Sequence, residues 1–159
     1  MTHSSHLEMF SSIVWATDGS DASLAGSRFV RDACERHDSL LRIVHIAPTL
    51  CVGADERRIA RLKALTSSLR RHGIDASLHV VRGAIGSPVP HIAEVARMSQ
   101  AKLLIVGTRG RSPVISAVAG SVAQRLLAEA PCPVLVLPAA SVAAGGRRAA
   151  VTPALTASA

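Results

Sequence analysis

The residues best placed to do chemistry in this chain are glycines. Gly107-Thr108-Arg109-Gly110, nine further residues and then Gly120-Ser121 lead from an apolar segment at 102–106 into a stretch of helical periodicity. Backbone amides with no side chain in the way can close around anionic oxygens. A helix start adds unpaired N–H groups and the positive end of its dipole. The pattern therefore reads as a place for the phosphate oxygens of a nucleotide. Glycine is also needed wherever a chain turns with positive φ or packs closely, so a structural role for the three glycines stays open. Two common phosphate loops are excluded. Lys63 and Lys102 follow Leu62 and Ala101, so there is no GK[ST], and GxGxxG does not occur.

Other side chains could complete such a site. Asp18 could accept hydrogen bonds from ribose hydroxyls or help hold a divalent ion carried by phosphates. Asp18-Gly19-Ser20 is equally a sequence for an Asx turn or a helix cap. Ser121 could hold a phosphate through its hydroxyl and amide, or cap a helix. Arg109 and Arg111 could reach outer phosphates, or be solvated as most loop arginines are. Ala16 and Ile46, each at the end of an apolar segment, could touch a flat base, and both are ordinary strand-end residues. Phosphoryl transfer needs a positioned base or water-orienting group, and the motif supplies donors without a clear base. Binding is favoured over catalysis.

These residues need a frame. Apolar segments alternate with helical periodicity from residue 12 to 138, as in a parallel sheet covered on both faces. Strands are expected at 12–16, 40–46, 76–81, 102–106 and 134–137. The first helix should open at Ser20 or Asp21 and end near His37, with Leu24, Phe29 and Val30 inward. A second, at 55–72, carries Ile59, Leu62, Leu65 and Leu69 against an arginine-rich face, with Gly73 as its C′ residue. A third spans 89–100, and a fourth starts at Val118 or Gly120 and ends at Ala130 before Pro131. Residues 48–54 read as a loop that could cover a site. Right-handed crossovers with one reversal give an open, Rossmann-like α/β sheet of order 3-2-1-4-5, helices on both faces. That order sets Asp18, past strand one, opposite Gly107, past strand four.

Length and composition bound the rest. The 159 residues suffice for one domain, 10–138, preceded by an extension at 1–9 and followed by a small-residue tail at 139–159 that reads as disordered. No apolar run approaches the roughly 20 residues of a membrane-spanning helix, and the N-terminus lacks the pattern of a secretory signal, so a cytoplasmic protein is expected. Cys34, Cys51 and Cys132 are odd in number without a CxxC pair, which argues against a disulfide framework or zinc ribbon. His3 and His6 alone do not make a metal site. A net charge of +7 raises the question of nucleic acid, yet the arginines lie in runs typical of solvated helix faces. With no Tyr, one Trp and two Phe there is little to stack bases on, which disfavours that partner.

The chain resembles a universal stress protein of the single-domain bacterial type. The resemblance rests on Ala16-Thr17-Asp18-Gly19-Ser20, Val44-His45-Ile46, the Gly107 to Ser121 segment, and Ala130-Pro131-Cys132-Pro133-Val134-Leu135-Val136. It implies the ATP-binding branch, with Asp18 near the adenosine and Ala16 and Ile46 beside the base. Val106, Gly107 and Gly110 would line the loop, with Gly120, Ser121 and Val122 at the phosphates. ATP, possible with Mg2+, is the implied ligand. The resemblance further implies a cytoplasmic homodimer paired through the last strand, Val134 to Leu137, and a regulatory role in stress or dormancy read by a protein partner. Departures are Lys102, where an acidic residue is usual, Pro113 in the loop, and the long tail. The rival readings are a nucleotide-independent dimeric adaptor and a basic protein associated with nucleic acid.

Overall fold

A computed structural model describes residues 10–48, 52–107 and 120–138. The elements in chain order are β1 (Ser12–Ala16), α1 (Asp21–Leu24), α2 (Ser27–His37), β2 (Leu40–Pro48), α3 (Val52–Arg71), β3 (Ala76–Ala84), α4 (Val89–Met98), β4 (Leu103–Gly107), α5 (Ser121–Glu129) and β5 (Val134–Leu137). The strands form one parallel sheet in the expected order β3-β2-β1-β4-β5. Side chains alternate across a strand, so β1 feeds two cores. Ile13 and Trp15 pack with Val30 of α2 and Leu62 and Leu69 of α3 on one face. Val14 and Ala16 pack with Ile92 of α4 and Leu126 of α5 on the other. The helices change face where the winding reverses after β3, which opens the crevice between β1 and β4.

Local chemistry sets the element ends. Ser20 accepts the Ser23 N–H at 3.3 Å and caps α1. The helix expected through to His37 is broken at Ala25-Gly26. An added Cβ on Gly26 would lie 2.8 Å from Leu137 Cδ1, so a larger residue there would require the tip of this β5 side chain to shift. Gly73, at φ +83, closes α3 as its C′ residue: its N–H reaches Arg70 O at 3.0 Å and Ile74 N–H reaches Leu69 O at 3.1 Å. Ile74 and Leu69 also share one core.

Several boundaries differ from the sequence expectation. β2 runs on through Pro48 and β3 through Ala84, with a shift of register at Ala47/Pro48. Proline is tolerated at a strand end, and Gly83 at φ +73 takes up the extra residue of a bulge, so neither acts as a terminator. α3 begins at Val52, so Val52, Gly53 and Ala54 belong to a helix rather than a loop. The fourth strand starts at Leu103, although Lys102 N–H still bonds Ser12 O at 2.8 Å. The tail at 139–159, the extension at 1–9 and the middle of the expected cover, Thr49 to Cys51, lie outside the described residues.

Candidate functional site

A cleft of about 660 Å³ lies beyond the C-terminal ends of β1, β2 and β4, a size suited to a small molecule. Of the expected site residues, Ala16, Asp18, Ile46, Val106, Gly107 and Val122 all line it. The sheet brings them together: Ala16 pairs in register with Val44 on one side and Val106 on the other. Two segments far apart in sequence, the turn after β1 and the end of β4, thus share one wall-to-wall space. Gly120 and Ser121 stand at the start of α5 next to Val122, outside the lining. Gly120, not Ser121, is the N-cap, and among the described residues no side chain satisfies the first N–H groups of this helix. The expected capping by Ser121 is therefore corrected: it is already the first helical residue. Gly110, Arg109, Arg111 and Pro113 lie outside the described residues.

The wall after β1 is built from hydroxyls. Ser23 Oγ donates to Ser20 O at 3.1 Å, so its one hydrogen is committed and Thr17 Oγ1 is the donor in their 2.7 Å contact. Thr17 Oγ1 in turn accepts Gly19 N–H at 3.2 Å. Ser20 donates to Asp18 Oδ1 twice, from N–H at 3.0 Å and from Oγ at 2.6 Å. Asp18 therefore does form the Asx-type turn, and it does so while lining the cleft. Partial burial alone would raise its pKa. Bonds from the Ser20 hydroxyl and N–H, the nearby Ser23 hydroxyl and the charge of Arg58 outweigh that and hold it below the ordinary value. Gly19 adopts φ +70, and an added Cβ would meet Arg58 Cβ at 3.0 Å, so both backbone and packing require glycine.

The wall after β4 is different. An added Cβ on Gly107 would meet Ser23 only at 4.0 Å, ordinary contact, and Gly107 is not among the positive-φ glycines. Neither reason that demands glycine at position 19 operates here among the described residues.

Residues with no sequence signal of their own also reach the site. Thr17, Ser23, Pro88, Ile92 and Arg58 line the cleft. Arg58 sits on the face of α3 that the sequence presents as a solvated arginine run. Behind it lies a buried polar pair. His45 Nδ1 is 3.1 Å from Thr17 O, a group that only accepts, so that nitrogen carries hydrogen. Its Nε2 faces Asp55 Oδ1 at 3.9 Å, and Arg58 Nη1 lies 3.6 Å from the same oxygen. A histidine inside an otherwise apolar strand was a visible signal for this pair. Asp55, at the start of α3, was not.

Among the described residues no group of three His, Cys, Asp or Glu side chains is placed to hold a metal ion. Burial, with the adjacent Glu35 charge, pushes the Cys34 thiol up to about 11, away from reactivity. No described helix is long and apolar enough to cross a membrane.

The fold and the cleft define a class: open parallel α/β proteins that hold a small ligand at the switch point of the sheet. Residues 9–138 match the sequence model of the universal stress protein family, and the chain belongs to that family. It is 31% identical over 141 residues to a universal stress protein of Thermus aquaticus, covering 81% of this chain and 99% of that one. A universal stress protein of Methanocaldococcus jannaschii is 27% identical over 143 residues, covering 81% of this chain and 82% of the relative. A solved universal stress protein from Archaeoglobus fulgidus superposes with TM-score 0.65 at 26% identity, over 78% of this chain and 96% of that one. A second, solved in complex with cAMP, has TM-score 0.64 at 24% identity, over 82% of this chain and 98% of its own, a likeness of fold.

Proposed function

We propose that this protein is an ATP-binding regulator of the stress or dormancy response. One observation carries the reading: Asp18 and Gly107, picked out by residue chemistry from opposite ends of the chain, line one cleft of nucleotide size with Ala16, Ile46, Val106 and Val122 between them. In this reading Ala16 and Ile46 contact the base and Asp18 the ribose. Gly107, with Gly110, Gly120, Ser121 and Val122, receives the phosphates through main-chain N–H groups at the start of α5. Fold neighbours solved with cAMP and with dAMP support an adenine ligand. Magnesium, where present, would arrive on the phosphates, and a carboxylate of the cleft such as Asp18 would be available to it.

Occupancy can signal only if ATP binds two states of the chain with different affinity, so the segment between Gly107 and Ser121 is the element we expect it to bias. β5 is a sheet edge, and pairing of two copies through Val134–Leu137 would cover it. A cytoplasmic homodimer read by a protein partner completes the proposal. Calorimetry with ATP and magnesium tests it: binding at micromolar to sub-millimolar ATP is expected, and no heat up to millimolar ATP would dismiss it. Denaturing the purified protein and assaying the supernatant for adenine nucleotide separates this reading from a nucleotide-independent adaptor.

A further inference from the structure

We infer that Arg58 is the group that stacks on the purine base of the ligand, held in place by the buried carboxylate of Asp55; this rests on the nucleotide reading above. The cleft has an apolar floor in Ala16, Val44 and Ile46 but no aromatic residue among its described lining. A base lying on that floor has one π-capable partner to cover it, the planar guanidinium of Arg58.

The side chain is prepared for such a role. Its stem packs against Gly19, where even a Cβ would come to 3.0 Å. Its side chain is 28% exposed. Asp55, only 4% exposed and with neither oxygen given a hydrogen-bond donor among the described residues, lies 3.6 Å from Nη1. Arg58 supplies the nearest guanidinium to that buried carboxylate, and the His45 ring lies within 3.9 Å of it. That attraction favours keeping the guanidinium at this end of the cleft.

Pairing with a phosphate is the alternative use of an arginine, and the surroundings oppose it. Asp18 and Asp21 line this end of the cleft beside Arg58, Arg61 is bonded to Asp21, and the buried Asp55 stands behind Arg58. Arg58 is thus already faced by a carboxylate, which weakens its pull on an anion and leaves contact with a neutral ring unaffected.

The test titrates adenosine and AMP into wild-type protein and the Arg58→Lys and Arg58→Gln variants by calorimetry, with thermal melts of the ligand-free proteins alongside. Lysine keeps the charge and loses the plane. Both variants should bind adenosine about tenfold more weakly, and AMP by the same factor, because stacking is lost whatever the ligand's charge. A loss confined to AMP, or full recovery of binding by lysine, would show a charge contact and overturn the assignment. Unchanged affinity for both ligands overturns it too. Wild-type protein that binds neither ligand and gives no heat with ATP removes the nucleotide reading itself, a failure distinct from those results. If Arg58→Gln does not fold, Arg58→Lys alone decides the matter.

Discussion

The two walls of the cleft are made in opposite ways. After β1 the turn is filled by its own side chains: Thr17, Asp18, Ser20 and Ser23 bond one another and the local backbone, and Gly19 is locked by φ and by Arg58. At the end of β4 Gly107 has ordinary space around it, and α5 starts at Gly120 with no side-chain cap among the described residues. The difference teaches where rigidity and reception reside. A self-satisfied turn costs little to preorganise, and it presents one carboxylate in a fixed place. Uncapped N–H groups are stable next to water but bind better to something more negative than water.

The largest effect should come from damaging the rigid wall. Gly19→Val forces a β-branched residue into φ +70 and drives its Cβ onto Arg58. A loss of about 3 kcal/mol in urea unfolding is expected from strain of that kind. A variant as stable as the wild type would mean that the turn bends easily, and the contrast between the walls would collapse.

The wall after β4 should fail in the other way. Gly107→Val meets only ordinary contacts in the protein, and valine suits a strand, so stability should change by less than about 0.5 kcal/mol. ATP affinity should fall about a hundredfold, close to 2.7 kcal/mol, because the side chain enters the cleft. Retained affinity would show that the ligand does not approach this backbone. A smaller effect belongs to Ser20→Ala, which removes the α1 cap and the hydroxyl bonded to Asp18. Thermal denaturation should report about 1 kcal/mol, the ordinary worth of a serine cap.

How far the sequence reached also divides along this line. Strand order followed from alternation, chirality and one reversal, because these act on long apolar segments such as 102–106 and 134–137. The pairing of Asp18 with Gly107 followed from that order alone. Elements whose ends depend on tertiary contact were not legible. Nothing local in Ala25-Gly26 says that Leu137 presses there, and nothing in Pro48 or Gly83 distinguishes a bulged ladder from a stop. Arg58 and Asp55 were hidden for a similar reason. Charges on an amphipathic helix look solvated until the sheet shows which of them face a cleft or a buried histidine.

The subtlest expected effect concerns Asp18 and pH. Its folded pKa lies below the ordinary value: partial burial opposes ionisation, but the bonds from Ser20 and the nearby Arg58 charge prevail. The folded chain therefore prefers the ionised carboxylate more than the unfolded chain does. That preference contributes stability fully above the unfolded carboxylate pKa near 4, and the contribution disappears as pH falls through the lower folded value. Asp18 is solvent-exposed in the free protein, so the contribution is screened and small. Asp18→Asn should be nearly as stable as wild type at pH 3 and somewhat less stable at pH 6, with the gap opening between those values in urea titrations. A constant gap at both pH values would mean that the turn holds its shape through geometry alone and that the charge is kept for the ligand.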